Sequence, residues 1–281
     1  MPAEAVVELV TTSARDRHPR RPLIVRWGTK VRGPLNHLLS RYSLVPLAPF
    51  LRTRHFPWLR HLEEAAPAIQ REAEQLLRNI AAVPPINELS PDHDSVAGDG
   101  GWRSFFLVGY RYRLEANCAR CPETVKALSH VPGLVTALFS ILEPGMHVGR
   151  HTGVSKAILI AHLGLRVPSE ATRCRMEVED TQVHWREGAT FVFDDMFPHE
   201  VWNDTADHRV ILLVQFERPM MFLGKVLARL LVHAVRWSPY IQDARRNVDI
   251  WETRFRASEA QTAAGQLTKG PSASLHAVEG L

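Results

Sequence analysis

Six of the fourteen histidines in this 281-residue chain fall between His147 and His208. Imidazole is the side chain best suited near neutral pH to hold a transition metal or to move a proton, so the surroundings of these six decide what they can do. His151 follows the turn signal Pro144-Gly145 and stands in His151-Thr152-Gly153 ahead of an apolar run. If that stretch is extended, His151 and Gly153 point to one face, because strand side chains alternate with period two. His199 lies in Phe193-Asp194-Asp195-Met196-Phe197-Pro198-His199-Glu200-Val201-Trp202, where one strand ends in a turn and another begins. Two imidazoles on separate strands facing a barrel interior would make a metal site suited to iron, zinc, copper or nickel alike. Taken singly, each is more ordinarily a surface or hydrogen-bonded core histidine.

Strands must hold these residues. Residues 102–113, 140–142, 157–167, 190–193 and 209–216 are short, aromatic, β-branched or apolar, and bounded by Gly, Pro or Asp. Their number and spacing predict a mainly β domain, a sandwich or open barrel with few helices inside it. Apolar residues at helical spacing (Leu59, Leu62, Ala66, Ile69, Ala73, Leu76, Leu77) predict a helix over residues 58–80, stopped by Pro84-Pro85, and residues 118–128 a second. Residues 91–101 are loop by composition. The chain therefore divides into a basic extension with one short helix over residues 1–55, a barrel domain over 56–220, an amphipathic helical segment over 221–256, and a disordered tail over 257–281.

The words around the two histidines resemble the aspartyl/asparaginyl β-hydroxylase family. They run in the family's order: Phe139-Ser140-Ile141, Pro144-Gly145, His147-Val148, His151-Thr152-Gly153, His162-Leu163-Gly164-Leu165, Trp185-Arg186-Glu187-Gly188, Phe193-Asp194-Asp195, His199-Glu200-Val201-Trp202 and Arg209, with Phe56-Pro57-Trp58 and Trp102 upstream. The resemblance covers residues 56–220 and implies a double-stranded β-helix, a jelly-roll or cupin-like barrel with flanking helices, that binds iron(II) and uses 2-oxoglutarate and dioxygen to hydroxylate an unactivated C–H bond. It implies His151 and His199 as metal ligands and Arg209 as the anchor of the distal carboxylate of 2-oxoglutarate, a guanidinium being a planar fork for a carboxylate. Ser140 would donate a second hydrogen bond to that carboxylate, and His162 would lie near the metal-chelating one. Most oxygenases of this fold add a carboxylate ligand. Here its position falls on Gly153, leaving room for water or another anion, while Asp194 and Asp195 are read as shaping the turn before His199. Where the animal enzymes carry a basic residue two positions before the second-strand histidine, this chain has Ile160, so the chemistry carries over but an acidic peptide substrate does not. A peptide, a lipid and a small metabolite remain open as substrates. A halogenase and a non-catalytic binding module of the same barrel are the alternatives.

The rest of the chain adds constraints. No apolar run reaches the roughly 18–20 residues of a membrane-spanning helix, and residues 1–10, with Glu4 and Glu8, do not read as a secretory signal. Cys118, Cys121 and Cys174 make no disulfide framework, and Cys118-Ala-Arg-Cys121 lacks the second pair of a zinc site, which together favour a reducing, cytoplasmic setting. Eleven Lys/Arg in residues 1–60, against Glu4, Glu8 and Asp16, form either a solvated arm or a contact for anionic lipid or an acidic partner. No nucleic-acid motif accompanies them. In residues 221–237 the apolar stripe Leu223, Val226, Leu227, Leu230, Leu231 and Ala234 is flanked by Lys225, Arg229, His233 and Arg236. Packing of this stripe on the barrel, with Leu227 and Leu230 in the core, is expected first; peripheral docking on a membrane surface and a dimer contact are the other readings.

Overall fold

Alternation of apolar side chains along short strands needs two layers to bury it, and the chain supplies them. The structure, a computed structural model, describes residues 23–90, 94–98, 100–170 and 172–267. The first 22 residues of the basic extension, residues 91–93 and 99 of the predicted loop, residue 171, and residues 268–281 of the tail lie outside the described residues. The strands are β1 (Phe50–Leu51), β2 (Trp102–Gly109), β3 (Tyr112–Arg113), β4 (Leu134–Leu142), β5 (Met146–His151), β6 (Ile158–Arg166), β7 (Cys174–Val178), β8 (Thr181–Val183), β9 (Thr190–Phe193), β10 (His199–Asn203) and β11 (Arg209–Glu217). They form a seven-stranded sheet, β1-β9-β6-β11-β4-β2-β3, facing a four-stranded sheet, β5-β10-β7-β8. From β4 to β11 the chain passes repeatedly between the two sheets, and eight antiparallel strands wound in this way are a double-stranded β-helix, the jelly roll.

The helices are α1 (Leu23–Arg41), α2 (Leu59–Glu64), α3 (Ala66–Leu77), α4 (Ile86–Leu89), α5 (Asp94–Ala97), α6 (Glu115–Arg120), α7 (Pro122–Leu128), α8 (Phe222–Arg236) and α9 (Pro239–Leu267). The larger sheet buries both faces. Val210, Leu212, Val214 and Phe216 of β11, with Phe139, Ile141, Leu159 and Leu163, face outward under Leu62, Ile69 and Leu76 of α2 and α3 and Phe255 of α9. The alternate residues Leu142, Ile160, Phe193 and Ile211 face inward and meet Met146, Val148, Cys174, Met176, Val178 and Val201 of the smaller sheet. Strands buried on both sides read as continuous apolar runs, which is why β6 and β11 were visible in the sequence; of β4 (Leu134–Leu142) only residues 140–142 were expected as strand.

Several elements differ from the sequence expectation, each for a local reason. The predicted strand 102–113 is a hairpin, since Tyr110 and Arg111 both take positive φ (45° and 65°), a turn usually marked by Gly or Asn. The predicted helix 58–80 is divided at Ala65–Pro67, and that at 118–128 at Pro122, because proline offers no N–H to the preceding turn. β7 and β8 were not expected. The extension holds a 19-residue helix, α1, and its Phe50–Leu51 pairs with β9, so the barrel sheet begins before residue 56. In place of a tail disordered from residue 257, α9 runs on to Leu267, where Ala257, Ala260, Ala263 and Ala264 are strong helix formers and Glu259 pairs with Arg120 at 2.6 Å. Within the predicted loop 91–101, residues 94–97 form one helical turn. Finally, α8 is a helix as predicted, but Leu230 faces solvent.

Candidate active site

His151 and His199 come together at one edge of the smaller sheet. They are register partners on β5 and β10, with ring centroids 4.1 Å apart. Simple alternation from Met146 and Val148 would turn Arg150 inward. One extra residue on β5 shifts the register between the pairs His199–His151 and Val201–Val148, and this bulge turns His151 toward its partner instead.

The hydrogen bonds fix how both rings are protonated. His151 Nδ1 lies 2.8 Å from the Gly149 carbonyl and His199 Nδ1 3.0 Å from that of Phe197. A carbonyl only accepts, so each Nδ1 carries the proton and each Nε2 is left with a free lone pair, the arrangement metal-binding histidines use. Burial holds His199 down to about 4, with the neighbouring His151 adding to the effect, and burial lowers His151 as well. Both rings are thus neutral at pH 7. Among the described residues no group of three or more His, Cys, Asp or Glu converges to hold a metal, so the pair stands without a third protein ligand of those types.

Further inside, alternation brings Ser140, His162 and Arg209 to the inward faces of β4, β6 and β11, all three buried. Trp185 ties two of them. Its Nε1 donates to His162 Nδ1 at 3.3 Å, and the Arg209 guanidinium lies 4.7 Å over its ring. His162 accepts at Nδ1, so in its neutral form Nε2 carries the proton, and that Nε2 has no partner. Burial first, then Arg209 and His199, keep His162 neutral, well below the usual histidine range. Arg209 Nε and Nη1 also lack any acceptor, and burial pulls the guanidinium down to about 10. Ser140 Oγ accepts from Trp102 Nε1 at 2.9 Å, which leaves its own proton to donate. Buried donors without acceptors are costly. This set fits an anion with several oxygens.

The two aspartates before His199 part ways. Asp194, fully buried, accepts from Lys156 Nζ at 2.7 Å, from Arg218 Nη2, and from the Met196 N–H at 3.1 Å; it holds the turn, as expected. Asp195 instead faces Gly153, whose N–H donates to the Asp195 carbonyl at 2.6 Å. Its Oδ1 has no partner, and burial, helped by Asp194, raises its pKa to about 7. A Cβ on Gly153 would collide with this carboxylate. The open space that a glycine at 153 suggested is therefore filled by Asp195, a feature the sequence hinted at only through its double aspartate. Gly153→Ala or Gly153→Asp is expected to lower stability by about 1–3 kcal/mol, because the short, enclosed Asp195 side chain has little room to retreat. Pairing Gly153→Ala with Asp195→Gly should restore most of the melting temperature. A pair no more stable than the single variant would count against this packing.

Four other residues are clarified. His147, on the outer side of β5, bonds Glu200 at 2.6 Å and stacks on Trp202, away from the pair. Cys118 and Cys121 are buried free thiols in the outer core. Arg32 of α1, which the sequence reading did not single out, donates to the Gly153 carbonyl and so brings α1 to the edge of the site.

Two sheets closing over a pair of mouth histidines and an inward arginine define a double-stranded β-helix protein with a buried polar pocket. Residues 63–219 match the family model described as aspartyl/asparaginyl beta-hydroxylase, and the chain belongs to that family of hydroxylases. Among curated relatives, the "Ornithine lipid ester-linked acyl 2-hydroxylase" of Rhizobium tropici is 35% identical over 217 residues, 77% of each chain. The human "Aspartyl/asparaginyl beta-hydroxylase" is 34% identical over 134 residues, 46% of this chain and 17% of that protein. A solved Pseudomonas putida prolyl-4-hydroxylase aligns with 55% of this chain and 88% of its own at 17% identity and a TM-score of 0.36. No helix among the described residues is long and apolar enough to cross a membrane.

Proposed function

We propose that this chain is an iron(II)- and 2-oxoglutarate-dependent hydroxylase acting on the acyl chain of a membrane lipid. The observation that carries the chemistry is the set of groups left open inside the barrel: two neutral imidazoles with free Nε2 lone pairs, and beyond them buried donors of Arg209 and His162 with no acceptor. His151 and His199 would hold the iron. Together with 2-oxoglutarate and dioxygen, the bound metal supplies an oxidant for an unactivated C–H bond, with succinate and carbon dioxide as by-products. Arg209 binds the distal carboxylate of the cosubstrate through its fork, and Ser140 donates to the same carboxylate. His162 offers Nε2–H near the other carboxylate while Trp185 fixes its ring. Ile160, Ile211 and Phe193 line the inner wall and exclude water.

The lipid assignment is supported by the long alignment with a relative named for lipid acyl hydroxylation. Ile160 supports it further: it points into the barrel where the animal enzymes' basic residue would meet an acidic substrate. Anaerobic protein given iron(II) and then 2-oxoglutarate should develop a weak visible charge-transfer band. In air, a membrane-lipid extract should stimulate succinate release and yield acyl products one oxygen atom heavier. Absence of the band would overturn the cofactor assignment. Stimulation by Asp- or Asn-containing peptides and not by lipid would overturn the substrate.

A further inference from the structure

An amphipathic helix that exists to complete a core turns its large apolar residues inward. α8 does the reverse. The residues it buries are Gly224, Ala228 and Val232, with Leu227 and Leu231 half-buried, packed against Leu35, Leu39 and Tyr42 of α1 and its C-terminal turn. A Cβ on Gly224 would collide with Tyr42, so the helices approach closely over small side chains. The larger apolar residues are consequently left outside: Phe222 is 78% exposed, Leu223 59%, Leu230 62% and Trp237 62%, with Val226 exposed among them. Phe222, Val226, Leu230 and Trp237 recur at helical spacing and share one face. Exposed Met221 and Leu44 extend that face, since Met221 N–H bonds the Tyr42 carbonyl and Leu44 N–H that of Pro219, both at 2.9 Å.

The charge around this face is mainly positive, Glu217, which pairs with Arg111 and Arg229, being the acidic residue beside it. From Arg218 to Gln242 the sequence contains no Asp or Glu. Lys225, Arg229 and Arg236 run along one edge of the apolar stripe at the same helical spacing, and Arg111 joins Arg229, Arg236 and His233 in lining an open trough beside Val226 and Leu230. A second copy of the chain docked face to face would bring these cations against one another. An anionic lipid surface meets both demands: it takes apolar side chains below the headgroups and offers phosphates to the basic edge. Trp237 at the C-terminal end suits the interfacial zone. At 15 residues, about 22 Å long, α8 would lie in the plane of the surface.

We propose that the outer face of α8, with Met221 and Leu44, docks this protein on an anionic lipid bilayer. The inference deepens, and rests on, the lipid reading of the active site, for it would bring the barrel to the surface where acyl chains reside. The test is sedimentation of the full-length protein with vesicles of phosphatidylcholine alone or mixed with phosphatidylglycerol. Wild type should bind the anionic vesicles, more weakly as salt rises, and the neutral ones poorly. Phe222→Ser with Leu230→Ser should weaken binding at least tenfold, and Lys225→Glu several-fold. In both, the melting temperature and the anaerobic iron(II)/2-oxoglutarate band should be unchanged. Wild type that ignores anionic vesicles, or variants that bind them like wild type, would overturn the proposal. So would a dimer that these substitutions convert to a monomer. The band is read separately, so loss of the hydroxylase assignment and loss of docking are distinguishable.

Discussion

His151→Ala and His199→Ala should each abolish succinate release while leaving the fold standing. Each ring contributes a lone pair at Nε2, and no third His, Cys, Asp or Glu among the described residues backs up the pair. Losing one of two imidazoles leaves a single protein ligand, too few to retain iron(II) at ordinary concentrations. The structural cost is smaller. Each substitution frees one backbone carbonyl, Gly149 or Phe197, and removes a neutral ring whose deletion uncovers no charge, an effect of about 1–2 kcal/mol. Iron(II) binding, succinate release and melting temperature, measured together, separate the two consequences. His147→Ala is the control, being on the same strand but turned outward against Trp202 and Glu200; it should keep most of the activity. Wild-type succinate release in both His151→Ala and His199→Ala would remove the metal from this site.

The parts of the fold that were legible in the sequence are those whose burial is symmetrical. β6, β9 and β11 are apolar on both faces because helices cover one side of the larger sheet and the barrel interior the other, so they read as uninterrupted runs. β7 alternates buried and half-buried residues in a short Cys-Arg-Met-Glu-Val segment, and β8 is three polar-leaning residues, so neither rose above its neighbours. The turns at Tyr110-Arg111 and Glu179 use left-handed conformations without glycine, imposed by the pairing on either side and carrying no composition signal. In the site, the two histidines and Arg209 stood out through their motifs. The role of Asp195 did not, because it depends on which of two adjacent carboxylates turns toward Gly153. The outer face of α8 was misjudged for a similar reason. Hydrophobicity marks a stripe, but only the close approach permitted by Gly224 decides which edge of it meets α1.

Arg209→Ala should raise the apparent 2-oxoglutarate constant by about tenfold to a few hundredfold, corresponding to roughly 1.5–3 kcal/mol or slightly more for a charge-assisted bidentate pair. Arg209 is 2% exposed, and its guanidinium has acceptor-less Nε and Nη1 and meets no carboxylate of the protein among its described contacts. Burial alone is what pulls its pKa down to about 10. A side chain kept in that state is poor for stability and useful only if an anion completes it. Arg209→Lys should recover part of the affinity, since it restores the charge but not the fork. A second consequence separates a cosubstrate anchor from a structural residue. Without cosubstrate, Arg209→Met should melt at or above the wild-type temperature, because an apolar side chain of similar length relieves an unpaired buried charge. With iron(II) and saturating 2-oxoglutarate, the wild type should rise above the variant, because only it gains the linkage stabilisation of the bound anion. If Arg209→Met is less stable than wild type in both conditions and its 2-oxoglutarate constant is unchanged, the arginine belongs to the barrel's framework, and the anion site must be sought elsewhere.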